Sequence, residues 1–373
     1  MNQFSISVDK LFDGDSFLSD QKITVTEGII SSIEPISEPD ASRYSGALLP
    51  GFIDVQVNGG GGVLFNHSPN LESLTIIAKA HQTYGTTGWL PTLVTDKFEN
   101  MQKAADSVAE AIKKPNLGVL GIHFEGPHLC LDKRGVHASQ FIRKLSNTEK
   151  ALYSRQDLGK VVVTLAPEVV DAELISELVE LDVIVCLGHS NATYHQVETA
   201  LSAGATGFTH LFNAMSQFNS REPGMVGAAL KDKSSYAGLI LDGYHVHPAS
   251  AKVAIENKEN MMLVTDAMPP VATNQSHFEF FGENISVNGG KLTNSKGKLA
   301  GSALNMNLAV NNAVELADIS VDRAINMATL KPAQFLGVDS LYSQLKVGYK
   351  ANMVIKGELN QITDSWIEGE KVL

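Results

Sequence analysis

The hydrophobic pattern of the chain changes character near residue 48. Before it, apolar and polar positions alternate in short bursts separated by Gly, Asp and Pro, which is typical of small antiparallel strands. After it, continuous apolar runs alternate with stretches of helical period. Eight runs follow one another: ALLPGFIDVQV, GWLPTLV, LGVLGIHF, KVVVTLA, VIVCLG, ATGFTHLF, YAGLILD and MMLVTD.

Helical stretches separate most of these runs. In residues 97–114 and 171–181 the apolar positions recur at the spacing of one helix face. Buried parallel strands read as continuous apolar runs because helices cover their faces. Eight strands alternating with helices predict an α/β fold with a (β/α)8 TIM-type barrel. A doubly wound open sheet is the alternative, but such a sheet usually has fewer strands.

The two ends of the chain share a β character that the middle lacks. Residues 1–47 and 338–373 are therefore predicted to pair into one small β-sandwich domain, with the barrel occupying residues 48–337. After the last run, residues 278–294 indicate a hairpin that turns at Asn288-Gly289-Gly290. Residues 301–317 and 320–337 indicate helices.

Composition and charge narrow the class of protein. The 373 residues are 43% hydrophobic and carry a net charge of −12, which argues against a nucleic-acid surface. Two cysteines, Cys130 and Cys186, are too few for a disulfide scaffold and fit a reducing compartment. The sequence shows neither a signal-peptide pattern nor an apolar run of about 18 residues. We expect a cytoplasmic protein that binds neither nucleic acid nor membrane.

Polar side chains gather at the ends of the predicted strands, where a barrel of this type builds its active site. A single His beside an apolar strand is usually a hydrogen-bonded structural residue, and His123 is given that interpretation. A set of such residues at one end of one barrel instead indicates a catalytic centre. The set comprises Gln56, Asn58, His123, Glu125, His128, Glu168, His189, His210, His245 and Asp266.

Three of these residues make a suitable shell for a divalent transition metal. Glu125, His189 and His210 supply one carboxylate and two imidazoles, which leaves a coordination position open for water. Such a metal lowers the pKa of bound water from about 15.7 toward about 7. Asp266 is then the predicted general base and acid. His245 is predicted to donate a hydrogen bond to a polarised carbonyl oxygen.

Several motifs resemble the amidohydrolase superfamily and, within it, closely resemble the N-acetylglucosamine-6-phosphate deacetylase family. The match runs from Pro50 to Met306, and the tail GYKANMVI resembles the C-terminal β segment of the superfamily. The motifs are PGFIDVQVNGGGG, HFEGPHL, KRGVH, LGHSNAT, THLFNAMS, REPGMVGAAL, LDGYHVHP, LVTDAMPP and LAGSALNM.

The resemblance implies hydrolysis of the N-acetyl amide of N-acetylglucosamine 6-phosphate to glucosamine 6-phosphate and acetate, in amino-sugar catabolism. It assigns the metal to Glu125, His189 and His210 and the acid/base role to Asp266. It further implies a homodimer in which Arg221 grips the phosphate of the neighbouring subunit's substrate. The substrate contacts it implies are Val136, His137, Asn213, Ala214, Arg221, His245, Ala300, Gly301 and Ser302.

The first strand departs from the pattern of many amidohydrolases, which end it with two histidines and bind two metals. Gln56 and Asn58 stand there instead, and side-chain amides are poor zinc ligands. The resemblance therefore implies one metal per subunit. Zn²⁺ is expected, with Fe²⁺, Co²⁺ and Mn²⁺ as alternatives, and a weak second site under excess metal stays open.

Two other functions remain as alternatives at this stage. One is an amidohydrolase acting on another amide, such as N-acetylgalactosamine 6-phosphate or an N-acylated amino acid. Arg221 favours a phosphorylated substrate, but it does not distinguish the C4 epimers. The other is a barrel that has lost catalysis and serves as a binding or scaffold protein. Such a chain is expected to lack a metal ligand or Asp266, and none is missing.

Overall fold

Eight parallel strands run in chain order around a nearly closed barrel. The computed structural model describes residues 3–36 and 43–373. The barrel closes where Val57 bridges to Ala267 beside the last strand. All eight predicted runs contain a barrel strand, so the α/β barrel prediction is confirmed. The strands are β5 (Phe52–Val57), β8 (Thr86–Val94), β9 (Gly121–Glu125), β10 (Lys160–Leu165), β11 (Ile184–Leu187), β12 (Gly207–Phe208), β13 (Tyr236–Leu239) and β14 (Met261–Leu263).

Helices cover the outside of the barrel, and their buried faces follow the predicted period. In the second helix Met101, Ala105 and Val108 are fully buried. The third begins with a capping box in which Ser146 and Glu149 bond each other's backbone. The helices are α1 (Leu71–Gln82), α2 (Phe98–Ala111), α3 (Asn147–Tyr153), α4 (Ala172–Glu180), α5 (Tyr194–Ser202), α6 (Gly224–Lys231), α7 (Pro248–Asn257), α8 (Met306–Glu315), α9 (Val321–Ala328) and α10 (Leu330–Leu336). No helix in the described residues is long and apolar enough to cross a membrane.

Segments from both ends of the chain form one seven-stranded sheet with its own apolar core. Its strands are β1 (Gln3–Phe12), β2 (Phe17–Thr26), β3 (Ile29–Pro35), β4 (Tyr44–Pro50), β18 (Met353–Lys356), β19 (Ile362–Ile367) and β20 (Glu370–Lys371). Strand β4 lies between β1 and β18, so it joins the two ends. The first predicted run, residues 47–57, therefore serves two sheets and divides at Gly51. A Cβ at Gly51 would lie 2.0 Å from Oγ1 of Thr87, so only glycine fits there.

Two small sheets lie near the carboxyl end of the barrel. A ribbon of β6 (Gly59–Gly60) and β7 (Val63–Leu64) follows the first barrel strand. The predicted hairpin is present as β16 (Glu283–Asn288) and β17 (Lys291–Thr293), and β15 (His277–Phe280) extends it to three antiparallel strands. Phe280 at the end of β15 reaches the cavity at the carboxyl end of the barrel.

Candidate active site

Three side chains meet at the carboxyl end of the barrel. Glu125 is the last residue of β9, and His189 and His210 follow β11 and β12 at the same edge. Oε1 of Glu125 lies 3.0 Å from Nε2 of His189 and 3.1 Å from Nε2 of His210. The two Nε2 atoms are 3.0 Å apart. All three residues are buried, and they are the one group of potential metal ligands found among residues 3–36 and 43–373.

A hydrogen bond fixes the tautomer of His189. Its Nδ1 lies 2.8 Å from the backbone carbonyl oxygen of Lys133. Because a carbonyl oxygen only accepts, Nδ1 carries the proton and Nε2 presents a lone pair to Glu125 and His210. A ring N–H held by a backbone carbonyl is the usual support of a metal-binding histidine.

The backbone is strained at the residues that converge here. His189, His210 and Asp266 have φ angles of +48°, +33° and +51°. Non-glycine residues in this left-handed region cost of order 1–3 kcal/mol and cluster at functional sites. Each follows the last residues of a barrel strand, where the sharp turn directs the side chain over the barrel mouth.

The three-residue cluster has the chemistry of a divalent-metal site. Three acceptor atoms about 3 Å apart repel one another unless a cation or protons lie between them. Ligands bound at about 2.0–2.2 Å to a tetrahedral zinc lie about 3.3 Å from each other, close to the spacing here. Burial favours a raised pKa for Glu125, but the neighbouring imidazoles of His189 and His210 hold its pKa well below the ordinary value. The residues present therefore fit a divalent metal.

Asp266 faces the cluster from the β14 side of the barrel. Burial, and then the charge of Glu125, raises the pKa of Asp266 to about 6. Its Oδ1 accepts hydrogen bonds from Nδ2 of Asn58 at 2.6 Å and from Nε2 of Gln56 at 3.3 Å. Sequence reasoning treated these amides only as poor metal ligands and missed the contact. No sequence signal pairs residues more than 200 positions apart.

His245 is held in place by a carboxylate that the sequence analysis did not single out. Its Nδ1 lies 2.7 Å from Oδ2 of Asp242, and its backbone N–H donates to Oδ1 at 2.8 Å. Burial favours a raised pKa for Asp242, but the hydrogen bond from His245 holds the pKa below its ordinary value. An ionised Asp242 directs the opposite ring nitrogen, Nε2, away from itself. The signal was present in the sequence as an acidic residue three positions before the histidine.

One cavity brings most of the predicted residues together. The predicted residues that line it are Glu125, Val136, His137, His189, His210, Asn213, Ala214, His245, Asp266 and Gly301. Ala300 and Ser302 do not line it, and both are buried. Ser302 instead donates its hydroxyl to the backbone oxygen of Thr265 at 2.5 Å and its N–H to that of Asp266 at 3.0 Å.

Arg221 lies outside this cavity. It is exposed and makes no hydrogen bond or ion pair with any other residue that the structure describes.

His137, by contrast, is buried with its Nε2 only 3.9 Å from Oε1 of Glu125. Burial holds the pKa of His137 well below its ordinary value, so this ring is neutral. A neutral imidazole next to the cluster can hydrogen-bond a ligand without repelling a cation.

Two other histidines at strand ends are structural. His123 hydrogen-bonds the backbone oxygen of Val55 at 2.9 Å and Oγ1 of Thr164 at 2.7 Å. His128 hydrogen-bonds the backbone oxygen of Arg143 and the hydroxyl of Tyr153. With both ring nitrogens occupied, neither side chain has an atom left for a ligand, in agreement with the structural interpretation given to His123.

A (β/α)8 barrel whose carboxyl end carries a buried Glu-His-His cluster beside an unligated aspartate is the architecture of a metal-dependent barrel hydrolase. The Amidohydrolase family model matches residues 47–372. The chain belongs to the amidohydrolase family, as its motifs indicated.

Individual relatives agree with this assignment. The chain is 47% identical to N-acetylgalactosamine-6-phosphate deacetylase of Shewanella sp. (strain ANA-3), over 93% of this chain and 90% of that protein. It is 32% identical to N-acetylglucosamine-6-phosphate deacetylase of Haemophilus influenzae, over 95% of each. The crystal structure of N-acetylglucosamine-6-phosphate deacetylase from Pasteurella multocida superposes with a TM-score of 0.94 at 34% identity, covering 99% of both chains.

Proposed function

We propose that this protein hydrolyses the N-acetyl amide of an N-acetylhexosamine 6-phosphate, releasing acetate and the free amino-sugar phosphate. N-acetylglucosamine 6-phosphate is the substrate implied by the motifs. The observation that carries the proposal is the meeting of Glu125, His189 and His210 with Asp266 and His245 in one cavity. The chemistry suits amide hydrolysis, and relatives of this chain are named for that reaction. A place in amino-sugar catabolism follows from the products.

Glu125, His189 and His210 are proposed to hold one divalent metal per subunit. Zn²⁺ is the expected ion because a carboxylate with two imidazoles is a common zinc shell, while Fe²⁺, Co²⁺ and Mn²⁺ bind similar ligands. When bound, the ion supplies Lewis acidity, which polarises the substrate carbonyl and makes water a stronger nucleophile near neutral pH.

The remaining residues are proposed to move protons and hold the substrate. Asp266 takes a proton as water adds to the amide carbon, and it then gives that proton to the nitrogen as the C–N bond breaks. Nδ1 of His245 donates to Asp242, and Nε2, when it carries the second ring proton, donates to the carbonyl oxygen as negative charge develops. The sugar contacts proposed for this chain are Val136, His137, Asn213, Ala214, Ala300, Gly301 and Ser302. Ala300 and Ser302 contribute through the loop that carries Gly301, since both are buried.

N-acetylgalactosamine 6-phosphate is the second candidate substrate, and the comparisons favour it. The relatives at 47% and 36% identity are both named N-acetylgalactosamine-6-phosphate deacetylases, whereas the Haemophilus influenzae and Homo sapiens relatives named for the glucosamine epimer lie at 32% and 34%. The two sugars differ only in the orientation of the C4 hydroxyl. A site that hydrogen-bonds one orientation leaves a buried polar group unpaired with the other epimer.

We further propose that Arg221 binds the phosphate in the site of a neighbouring subunit, in a homodimer. The exposed guanidinium has no partner among the described residues of its own chain, and its planar array of N–H donors suits a phosphate.

The proposed division of the chain remains residues 1–47 with 338–373 as a small β domain and residues 48–337 as the barrel. Two free cysteines support a location in the cytoplasm.

Metal titration with both epimers tests the proposal. The protein is stripped of metal, zinc is added back stepwise, and acetate release is followed with each N-acetylhexosamine 6-phosphate and with an N-acyl amino acid. Full activity at one equivalent per subunit with a sugar phosphate is expected. A break at two equivalents contradicts the single-metal proposal. Acetate from neither sugar phosphate with zinc, iron, cobalt or manganese contradicts the proposed function. The ratio of kcat/KM values identifies the preferred epimer.

A further inference from the structure

The side chains of Gln56 and Asn58 act together on one atom. They lie two positions apart, so they point to the same side of the first barrel strand and its extension. Both are buried, with 1% and 2% of their surface exposed. Nε2 of Gln56 and Nδ2 of Asn58 both donate to Oδ1 of Asp266, at 3.3 and 2.6 Å. We call these two residues the amide pair.

The backbone of Asp266 is held from both sides. Its N–H donates to the carbonyl oxygen of Gln56 at 2.9 Å, and its carbonyl oxygen accepts from the N–H of Ser302 at 3.0 Å. Its φ of +51° fixes the direction in which the side chain leaves the backbone. With the backbone held, only the side-chain torsions of Asp266 remain free. The hydrogen bonds from the amide pair to Oδ1 restrict these torsions.

We propose that Gln56 and Asn58 are positioning residues that hold Oδ1 of Asp266 and leave Oδ2 to exchange the proton during amide hydrolysis. This inference rests on the proposed function. Where two histidines would offer lone pairs to a second metal, the amide pair offers N–H groups to the acid/base residue. The first strand therefore serves the reaction through Asp266 and not through a metal.

The second amide atom of Asn58 has no partner within the protein. Oδ1 of Asn58 is buried and has no hydrogen-bond partner among the described residues, although Asn58 lines the cavity. An unpaired buried acceptor costs about 1–3 kcal/mol. Asn307, outside the cavity, bears the same cost, so the contact of Asn58 with Asp266 carries the proposal and this cost does not.

Asn58→Leu is the first test, because it keeps the branched shape of the side chain and removes the donor. We expect kcat to fall about 10- to 100-fold, since misplacement by about 1 Å can cost 100-fold. We expect KM to stay within about threefold and one metal per subunit to remain bound. Gln56→Leu is expected to lose less kcat, because the hydrogen bond from Gln56 to Asp266 is longer. This variant provides the test if Asn58→Leu does not fold. Unchanged kcat in both variants, or loss of metal together with activity, overturns the proposal.

A double-mutant cycle separates positioning from general damage. If Asn58 acts through the carboxylate, then adding Asn58→Leu to Asp266→Asn, which has already removed that carboxylate, should lower kcat further by less than about threefold. The same loss in both backgrounds overturns the proposal. Asn307→Leu is the matched control: Asn307 is also buried, donates through Nδ2 to the backbone oxygen of Asn360 and has an unpartnered Oδ1, but it lies in α8 outside the cavity. That variant is expected to lose stability and keep kcat.

A crystal structure of metal-loaded Asn58→Leu decides the question independently of turnover. In the variant, the carboxylate of Asp266 is expected to rotate or to occupy several orientations. In the wild-type protein, the same side chain is expected to have one conformation. An Asp266 that keeps the wild-type orientation overturns the proposal. If the wild-type protein releases no acetate from either sugar phosphate, the proposed function fails, and this structural comparison still tests the role of the amide pair.

Discussion

Asp266 is subject to opposing influences that suit its proposed role of taking and returning a proton. Burial and the charge of Glu125 favour its neutral form, while the hydrogen bond from Asn58 favours the anion, and its pKa is raised to about 6. Glu125, by contrast, contacts two imidazoles and keeps a depressed pKa. Two buried carboxyls at the same cavity thus have pKa values shifted in opposite directions because their neighbours differ.

Replacing Asp266 with Asn is expected to abolish most turnover without loss of metal. The variant keeps an acceptor oxygen for the amide pair but cannot accept the proton of the attacking water, so kcat should fall about 10²- to 10⁴-fold. Acetate release and bound metal per subunit are the measurements. Glu125→Gln is the contrasting variant, and we expect it to lose bound metal as well as activity. Unchanged turnover in Asp266→Asn would show that another group transfers the proton.

At the scale of residues, the sequence predicted the candidate site residues at the ends of strands. It did not predict the contacts between side chains that come from distant parts of the chain. Glu125, His189, His210 and Asp266 could be found because each lies near the end of an apolar run or just beyond it. The link from Asn58 to Asp266 could not, since it joins residues 208 positions apart. Arg221 was predicted only from the resemblance, because nothing around an exposed loop arginine indicates a ligand.

At the scale of elements, burial made the barrel strands readable and also obscured where they end. Strands covered on both faces are apolar throughout, so eight runs predict eight strands. The same uniformity hides boundaries. The run of residues 47–57 is apolar in both sheets that it serves, and its division at Gly51 has no hydrophobic signal. The strand β12 contains only two residues, although its run has eight.

The seam between β5 and β14 contains a buried carboxyl that should make stability depend on pH. Asp54 accepts from Oγ1 of Thr265 at 2.5 Å, yet burial raises its pKa from 3.8 to about 7. A carboxyl whose folded pKa is raised binds more protons in the folded state between about pH 4 and 7. Its contribution to the free energy of unfolding therefore falls as the pH rises through that window, by at most about 1.4 kcal/mol per unit.

Asp54→Asn is expected to remove this pH dependence, because an amide does not titrate. The melting temperature of the wild-type protein, taken relative to that of the variant, should decline from pH 4.5 to pH 7.5. Asp171→Asn is the control, since Asp171 is exposed and makes no side-chain bond to its helix. A constant difference between wild type and Asp54→Asn across this range would show that Asp54 is ionised in the folded protein throughout.

At the scale of the whole molecule, the described part of one chain brings together the proposed metal ligands, the proposed acid/base residue and His245, but it places no lysine or arginine in the cavity lining for the phosphate. The cavity is lined by barrel strand ends and by Phe280 of the three-stranded sheet. Arg221 lies outside it and is exposed. A second subunit that places its Arg221 at this cavity would complete the site, and closed two-fold symmetry would then complete both sites at once.

Complementation between two inactive variants tests this shared site. Asp266→Asn and Arg221→Ala are coexpressed with different tags, and the mixed dimer is purified through both. If Arg221 serves the neighbouring subunit, the Arg221→Ala subunit keeps its own Asp266 and receives an intact arginine from its partner. One of the two sites is then complete, and the mixed dimer should have about half of the wild-type activity at low substrate concentration. If Arg221 serves its own subunit, neither site is complete, and the mixed dimer should be no more active than the average of the two variants. Failure to recover any doubly tagged species would contradict the dimer itself.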